Sequence, residues 1–234
     1  KNNNFENIVL YSYKTNKHDH INVHEMKRFE HSISSLRKFN SEIAIYLFCD
    51  KPTIIPPYFA LKYSVRIIPF VDGFDHDMLN AWSIHRWYNL KYFEDEFYNI
   101  LYVDADTIFY QDVQYLFNTY CTHDVYGREE FGFRHDPTTG GGRNIREQLD
   151  LVDACIYDLG GQCEVYKYCL GVILLNDGIH KDIVERLDEL SDLMEQFKKN
   201  EVLIPVPNRR IADEYAVWII LSRMGVTEGL FGIQ

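Results

Sequence analysis

The chain has 234 residues, 46% hydrophobic and 15% aromatic, with 24 Lys and Arg against 35 Asp and Glu for a formal charge of −11. That length supports one sizeable core, and no apolar run approaches the roughly 20 residues that cross a bilayer, so no membrane span is expected. The acidic balance would repel a phosphate backbone, so no nucleic-acid partner is expected either.

Five cysteines, Cys49, Cys121, Cys155, Cys163 and Cys169, lack a CxxC pair. They argue against a disulfide framework or a structural zinc site and fit a reducing compartment. The opening segment KNNNFEN is polar where a secretory signal would be apolar. A cytoplasmic location is therefore expected.

In chain order, NIVLYSY (7–13) reads as a buried strand, and Met26, Phe29, Ile33 and Leu36 then recur as one face of a helix. IAIYLFCD (43–50) is a second strand, ending in Asp50, and VRIIPFV (65–71) a third. Leu79, Trp82, Trp87, Leu90 and Phe93 predict one long helix before ILYVD (100–104) returns to strand. This alternation predicts an α/β fold with a single, mainly parallel sheet flanked by helices.

From Gly127 to Gly161 the pattern lapses, and Pro137 with the Gly triplet at 140–142 suits a loop inserted over a site. LGVILLN (170–176) resumes a strand. Ile179 through Phe197 mark an amphipathic helix, VLIPV (202–206) a short strand, and Asp213 the start of a last helix carrying Ala216, Val217, Ile220 and Leu221. No internal repeat is present.

The chemistry concentrates in ILYVDADTIFYQDV (100–113). Asp104 and Asp106 are one residue apart where a buried strand ends, and in open α/β sheets ligands bind beyond the carboxyl ends of the strands. Two carboxylates there can hold Mn²⁺ or Mg²⁺ while leaving coordination positions for the phosphate oxygens of a substrate. A turn of ordinary acidic residues is the plainer alternative. Context favours the ligand reading: an apolar strand precedes the pair, and Asp112 opens a helix with Val113, Leu116 and Phe117.

That segment resembles the central motif of GT-A glycosyltransferases, especially the glycogenin and lipopolysaccharide galactosyltransferase group, and the likeness runs from the first strand to the last helix. It implies a GT-A fold over 1–234, with the nucleotide-binding part at about 1–110 and the acceptor side at about 111–234. Asp104 and Asp106 would hold the metal and, through it, the diphosphate of a nucleotide sugar, a UDP-sugar in first place. Arg86, on the helix before the acidic strand, would reach the donor. Tyr11, Ser12 and Tyr13, at the tip of the first strand, fall where the family grips base and ribose, and Asp50 ends its strand in a similar place. Gly171 and Asn176 match the family segment around the last long strand, whereas Cys169 stands where Asn is usual and Leu170 where a small residue is usual.

Asp213 and Glu214 resemble the Asp-Gln pair beneath the sugar in retaining members. Retention is thus favoured, but the carboxylate of Glu214 could also deprotonate an acceptor hydroxyl, so an inverting course stays open. The acceptor implied is a carbohydrate or glycoprotein hydroxyl. Retaining members also carry a metal-binding His near the C-terminus, followed by a Gly-x-x-Lys-Pro-Trp type segment. This sequence ends GLFGIQ, so either another residue such as His135 completes the site or the chain is one domain of a longer polypeptide. The loop at 131–145 is expected to close over the donor.

Two other functions compete. A haloacid-dehalogenase type phosphatase also uses DxD after a strand, but it requires Thr or Val at the second residue after the second Asp, where Ile108 stands here. A non-catalytic nucleotide-sugar or glycan-binding module would keep the metal site and lose transfer. Turnover separates these readings.

Overall fold

A computed structural model of the chain describes residues 5–14, 23–71, 81–129, 168–199 and 212–231. The first apolar run forms β1 (Glu6–Tyr13), which pairs in parallel with β2 (Ala44–Cys49) on one side and β4 (Tyr98–Val103) on the other. Beyond β2 lies β3 (Val65–Pro69), also parallel. Beyond β4 come β6 (Tyr168–Leu175), β5 (Val125–Glu129) and β7 (Glu228–Leu230), giving among the described residues one seven-stranded sheet of order β3-β2-β1-β4-β6-β5-β7. Of these seven strands only β6 runs against its neighbours, so the mainly parallel α/β sheet expected from the strand rhythm is the architecture observed.

Helices cover both faces because successive strand residues point to opposite sides. Val9, Tyr11, Ile45, Leu47, Leu101 and Val103 meet Met26, Phe29, Ile33 and Leu36 of α1 (Val23–Phe39) and Phe59 and Tyr63 of α2 (Pro57–Tyr63). Ile8, Leu10, Phe48, Ile100 and Tyr102 face the other way. They pack with Trp87 of α3 (Ala81–Tyr88), Leu190 of α6 (Leu187–Lys199) and Trp218 of α7 (Ala212–Met224). No helix among the described residues is long and apolar enough to span a membrane.

Several local expectations change. The crossover between β2 and β3 carries α2, seven residues started by Pro57 at its first position and ended by Ser64 in the left-handed region at φ 50°. It is too short to show a clear helical period. The helix expected to run to Phe93 is α-helical only to Tyr88 and tightens into a 3₁₀ turn over Asn89–Phe93. The helix expected from Ile179 divides into α5 (His180–Val184) and α6, with a turn at Glu185 and Arg186 between them. The expected inserted loop begins later than Gly127, since β5 continues to Glu129. β5 and β7 were not apparent in the sequence; each is short and takes its place from sheet pairing. Between them in the chain, VLIPV, His135 and the loop at 131–145 lie outside the described residues.

The helix expected after Asp112 is α4 (Gln114–Thr119). One carboxylate oxygen of Asp112 accepts the Gln114 backbone N–H at 2.9 Å and the Asn40 side-chain amide at 2.8 Å. This anchors the segment that follows the acidic pair against the end of α1.

Candidate active site

From β1 the chain passes through α1 to β2 and β3 on one side, then returns through α3 to β4 on the opposite side of β1. The strand order reverses between β1 and β4, and a crevice opens where the two connections diverge. Ser12, Tyr13 and Lys14 enter it from β1 and its exit, and Glu25, Arg28 and Phe29 from α1. Arg86 of α3 closes the floor, and Tyr102, Asp104, Ala105 and Asp106 form the β4 side of a cleft of about 390 Å³.

Asp104 is the first residue past β4. Its backbone N–H donates to the Gly171 carbonyl at 2.8 Å and its own carbonyl accepts from Thr107 N–H at 3.0 Å, which turns the chain and leaves Asp106 exposed. Arg86, only 7% exposed, donates through Nη1 to the Leu170 carbonyl at 2.8 Å. Its Nη2 lies 3.8 Å from Oδ1 of Asp104, and its guanidinium carbon sits 4.9 Å from the Tyr102 ring centre. Burial pushes the Asp104 carboxyl above the ordinary carboxylate range; Arg86 draws it back down and the Asp106 charge raises it.

The three residues grouped at the β1 tip part company. Tyr11 is fully buried on the α1 face, where its hydroxyl meets Ser32 Oγ at 2.8 Å and its ring packs edge-on against Phe29. It does not line the cleft. Two residues further on, Tyr13 reaches it and donates to Glu25 Oε2 at 2.5 Å. Burial and that carboxylate push the Tyr13 phenol up, so the ring stays a hydrogen-bond donor. Ser12, between them on the opposite face of β1, also lines the cleft and accepts from the side-chain amide of Asn89 at 3.1 Å.

Asp50 follows β2, where the Cys49 thiol donates to it at 3.7 Å; it is not among the cleft residues. Gly171 accepts the Asp104 backbone N–H through its carbonyl and is not among the cleft residues. Asn176, matched at the end of β6, is buried and donates to the carbonyls of Tyr120 and His123 at 2.7 and 2.9 Å, far from the cleft. Asp213 and Glu214 stand in the first turn of α7, and their side chains lie outside the described residues. Among the described residues no group of three or more His, Cys, Asp or Glu side chains converges as a metal site. Asp104 and Asp106 offer an oxygen-donor pair of the kind hard divalent cations take.

Sequence reasoning missed Lys14, Glu25, Arg28 and Asn89. Glu25 and Arg28 are three residues apart at the start of α1, on the turn that faces the tip of β1, a spacing that puts them side by side. That signal was present in the sequence. Asn89 carried none, since its contacts are with Ser12 and Val71.

No protein-family model matches the chain, and no curated protein is detectably similar to it in sequence. Solved structures are similar in fold. The glycosyltransferase GlyE of Streptococcus pneumoniae TIGR4 superposes with a TM-score of 0.54 at 17% identity over 97% of this chain. The chain spans 45% of the length of that structure. The galactosyltransferase LgtC, solved with donor and acceptor sugar analogues, gives 0.54 at 13% identity, over 96% of this chain and 72% of that one. Mouse xyloside xylosyltransferase 1 gives 0.53 at 10% identity, over 97% of this chain and 85% of that one. The fold is that of the GT-A glycosyltransferases.

Proposed function

We propose that the chain is a metal-dependent glycosyltransferase, moving a sugar from a nucleoside-diphosphate donor, a UDP-sugar in first place, to a hydroxyl of a glycan or glycoprotein. The observation that carries this is the meeting of Asp104 and Asp106 with the buried Arg86 in a cleft at the switch point of the sheet. Sugar transfer by GlyE, LgtC and the xylosyltransferase, as their names state, supports the reading on fold.

Asp104 and Asp106 would hold Mn²⁺ or Mg²⁺, with phosphate oxygens and water filling the remaining positions. When bound, such an ion supplies positive charge beside the departing diphosphate. Arg86 provides a fixed cation whose geometry is set before substrate arrives, so it needs little reorganisation as the bond to the anomeric carbon breaks. Lys14 and Arg28 add positive charge to the same cleft of an acidic protein, which favours entry of an anionic donor. Asp213 and Glu214 are assigned to the sugar side, with retention of configuration favoured and Glu214 available as a base for an inverting course.

The deciding experiment incubates the protein with UDP- and GDP-sugars and Mn²⁺, reading nucleoside diphosphate release and thermal stabilisation. Release that EDTA abolishes is the expected result. Tight binding without turnover would make the chain a binding module, and neither binding nor release with any donor would overturn the proposal.

A further inference from the structure

Asn89 is 1% exposed at the junction of α3 and its 3₁₀ extension, three residues after Arg86. Its Oδ1 accepts the backbone N–H of Val71 at 3.3 Å, and its Nδ2 donates to Ser12 Oγ at 3.1 Å. The two ends of an amide are chemically distinct although nearly equal in size. Val71 N–H can only donate, so it must face the oxygen. Nδ2 therefore faces Ser12, and the serine oxygen must accept.

A hydroxyl that accepts from a buried amide turns its own proton elsewhere. Ser12 Oγ has no further hydrogen-bond partner among the described residues, and the residue lines the cleft beside Tyr13. We infer that Asn89 is a positioning residue that fixes the polarity of Ser12, so that the Ser12 hydroxyl donates its hydrogen bond into the cleft, to an oxygen of the nucleoside diphosphate. The inference rests on the proposed function for the identity of that ligand. The accepting oxygen belongs either to the diphosphate or to the nucleoside.

Asn89→Asp is nearly isosteric and inverts the polarity. Its carboxylate still accepts from Val71 but now also takes the Ser12 proton, leaving the cleft without its donor. Asn89→Ala frees the hydroxyl to rotate and serves if the buried acid prevents folding. Affinity for UDP in the presence of Mn²⁺ is read by calorimetry for each variant, for Ser12→Ala, for Ser12→Thr and for the double variants.

Ser12→Ala is expected to weaken binding about tenfold, the effect of one hydrogen bond to a polar or charged ligand oxygen, while Ser12→Thr, which keeps the hydroxyl, stays within about threefold of the native chain. Each Asn89 change is expected to weaken binding in the native background. That penalty should shrink when Ser12 is already Ala, a coupling that a purely structural role of Asn89 would not produce. Manganese pyrophosphate in place of UDP locates the acceptor: a Ser12→Ala penalty for both ligands assigns the diphosphate, and one for UDP alone assigns the nucleoside.

Native protein that binds UDP while Ser12→Ala binds equally well would overturn the inference and leave the proposed function standing. Fully additive Asn89 and Ser12 effects would also overturn it. If the native protein binds no nucleoside diphosphate at all, both fall together.

Discussion

Arg86 and Asp104 form an ion pair, Nη2 to Oδ1 at 3.8 Å, in which the cation is almost fully buried and the carboxylate half-exposed. The same guanidinium donates to the Leu170 carbonyl at 2.8 Å, so one side chain of α3 ties the tip of β4 to the backbone of β6. A buried charge with no compensation costs several kcal/mol. Here the carboxylate, the carbonyl and the Tyr102 ring share it.

Removing that cation is expected to weaken binding of UDP with Mn²⁺. Arg86→Ala should lose about 1.5–3 kcal/mol, the range for hydrogen bonds to charged groups, or roughly ten- to a hundredfold in affinity by calorimetry. Arg86→Lys should recover only part, because an ammonium cannot span the carbonyl and the carboxylate with a rigid fork. Native affinity in Arg86→Ala would exclude the role.

Asp106→Asn tests the metal site with little risk to the fold. Its side chain is exposed at a turn, where substitutions stay within about 0.5 kcal/mol of native stability. The melting temperature without ligand should hardly move, whereas the stabilisation produced by Mn²⁺ with UDP should largely disappear. Stabilisation of native size would place the ion elsewhere.

Tyr11→Phe should do the reverse. The variant loses the buried hydrogen bond to Ser32 and is expected to be less stable by about 1 kcal/mol, with UDP affinity unchanged. A loss of affinity at native stability would return Tyr11 to the binding site.

His180 makes stability depend on pH. It is fully buried, with Nε2 3.1 Å from the Phe93 carbonyl and 3.2 Å from that of Glu96; two acceptors require the proton on Nε2. Burial pushes its pKa below the ordinary histidine value, so the unfolded chain takes up a proton at a pH where the folded one does not. Its contribution is full above the unfolded pKa of about 6.5 and is lost as pH falls through the lower folded value. Urea unfolding of the native chain and His180→Gln at about pH 7.5 and about pH 5.5 should show their stability difference shrinking at the lower pH. An equal difference at both would refute it.

Long apolar strands and the α1 stripe of Met26, Phe29, Ile33 and Leu36 were legible because burial imposes a period on them. β7, with three residues, and α2, with seven, are too short to carry one. At the site, Asp104 and Asp106 stood out by type and position. The separation of Tyr11 from Tyr13 was also latent in the sequence, since strand residues two apart share a face and the earlier one lies deeper in the sheet.

By itself, then, the amino-acid sequence determined the strand and helix rhythm, the parallel α/β class and an acidic pair at a strand end, since all three follow from local periodicity and residue chemistry. Tertiary structure decided the reversal of β6, the span of Arg86 to residue 170 and the hold of Asn89 on Ser12, 77 positions away in the chain. Such contacts depend on strand order and register, which bring distant segments within hydrogen-bond reach and leave no local pattern in either partner.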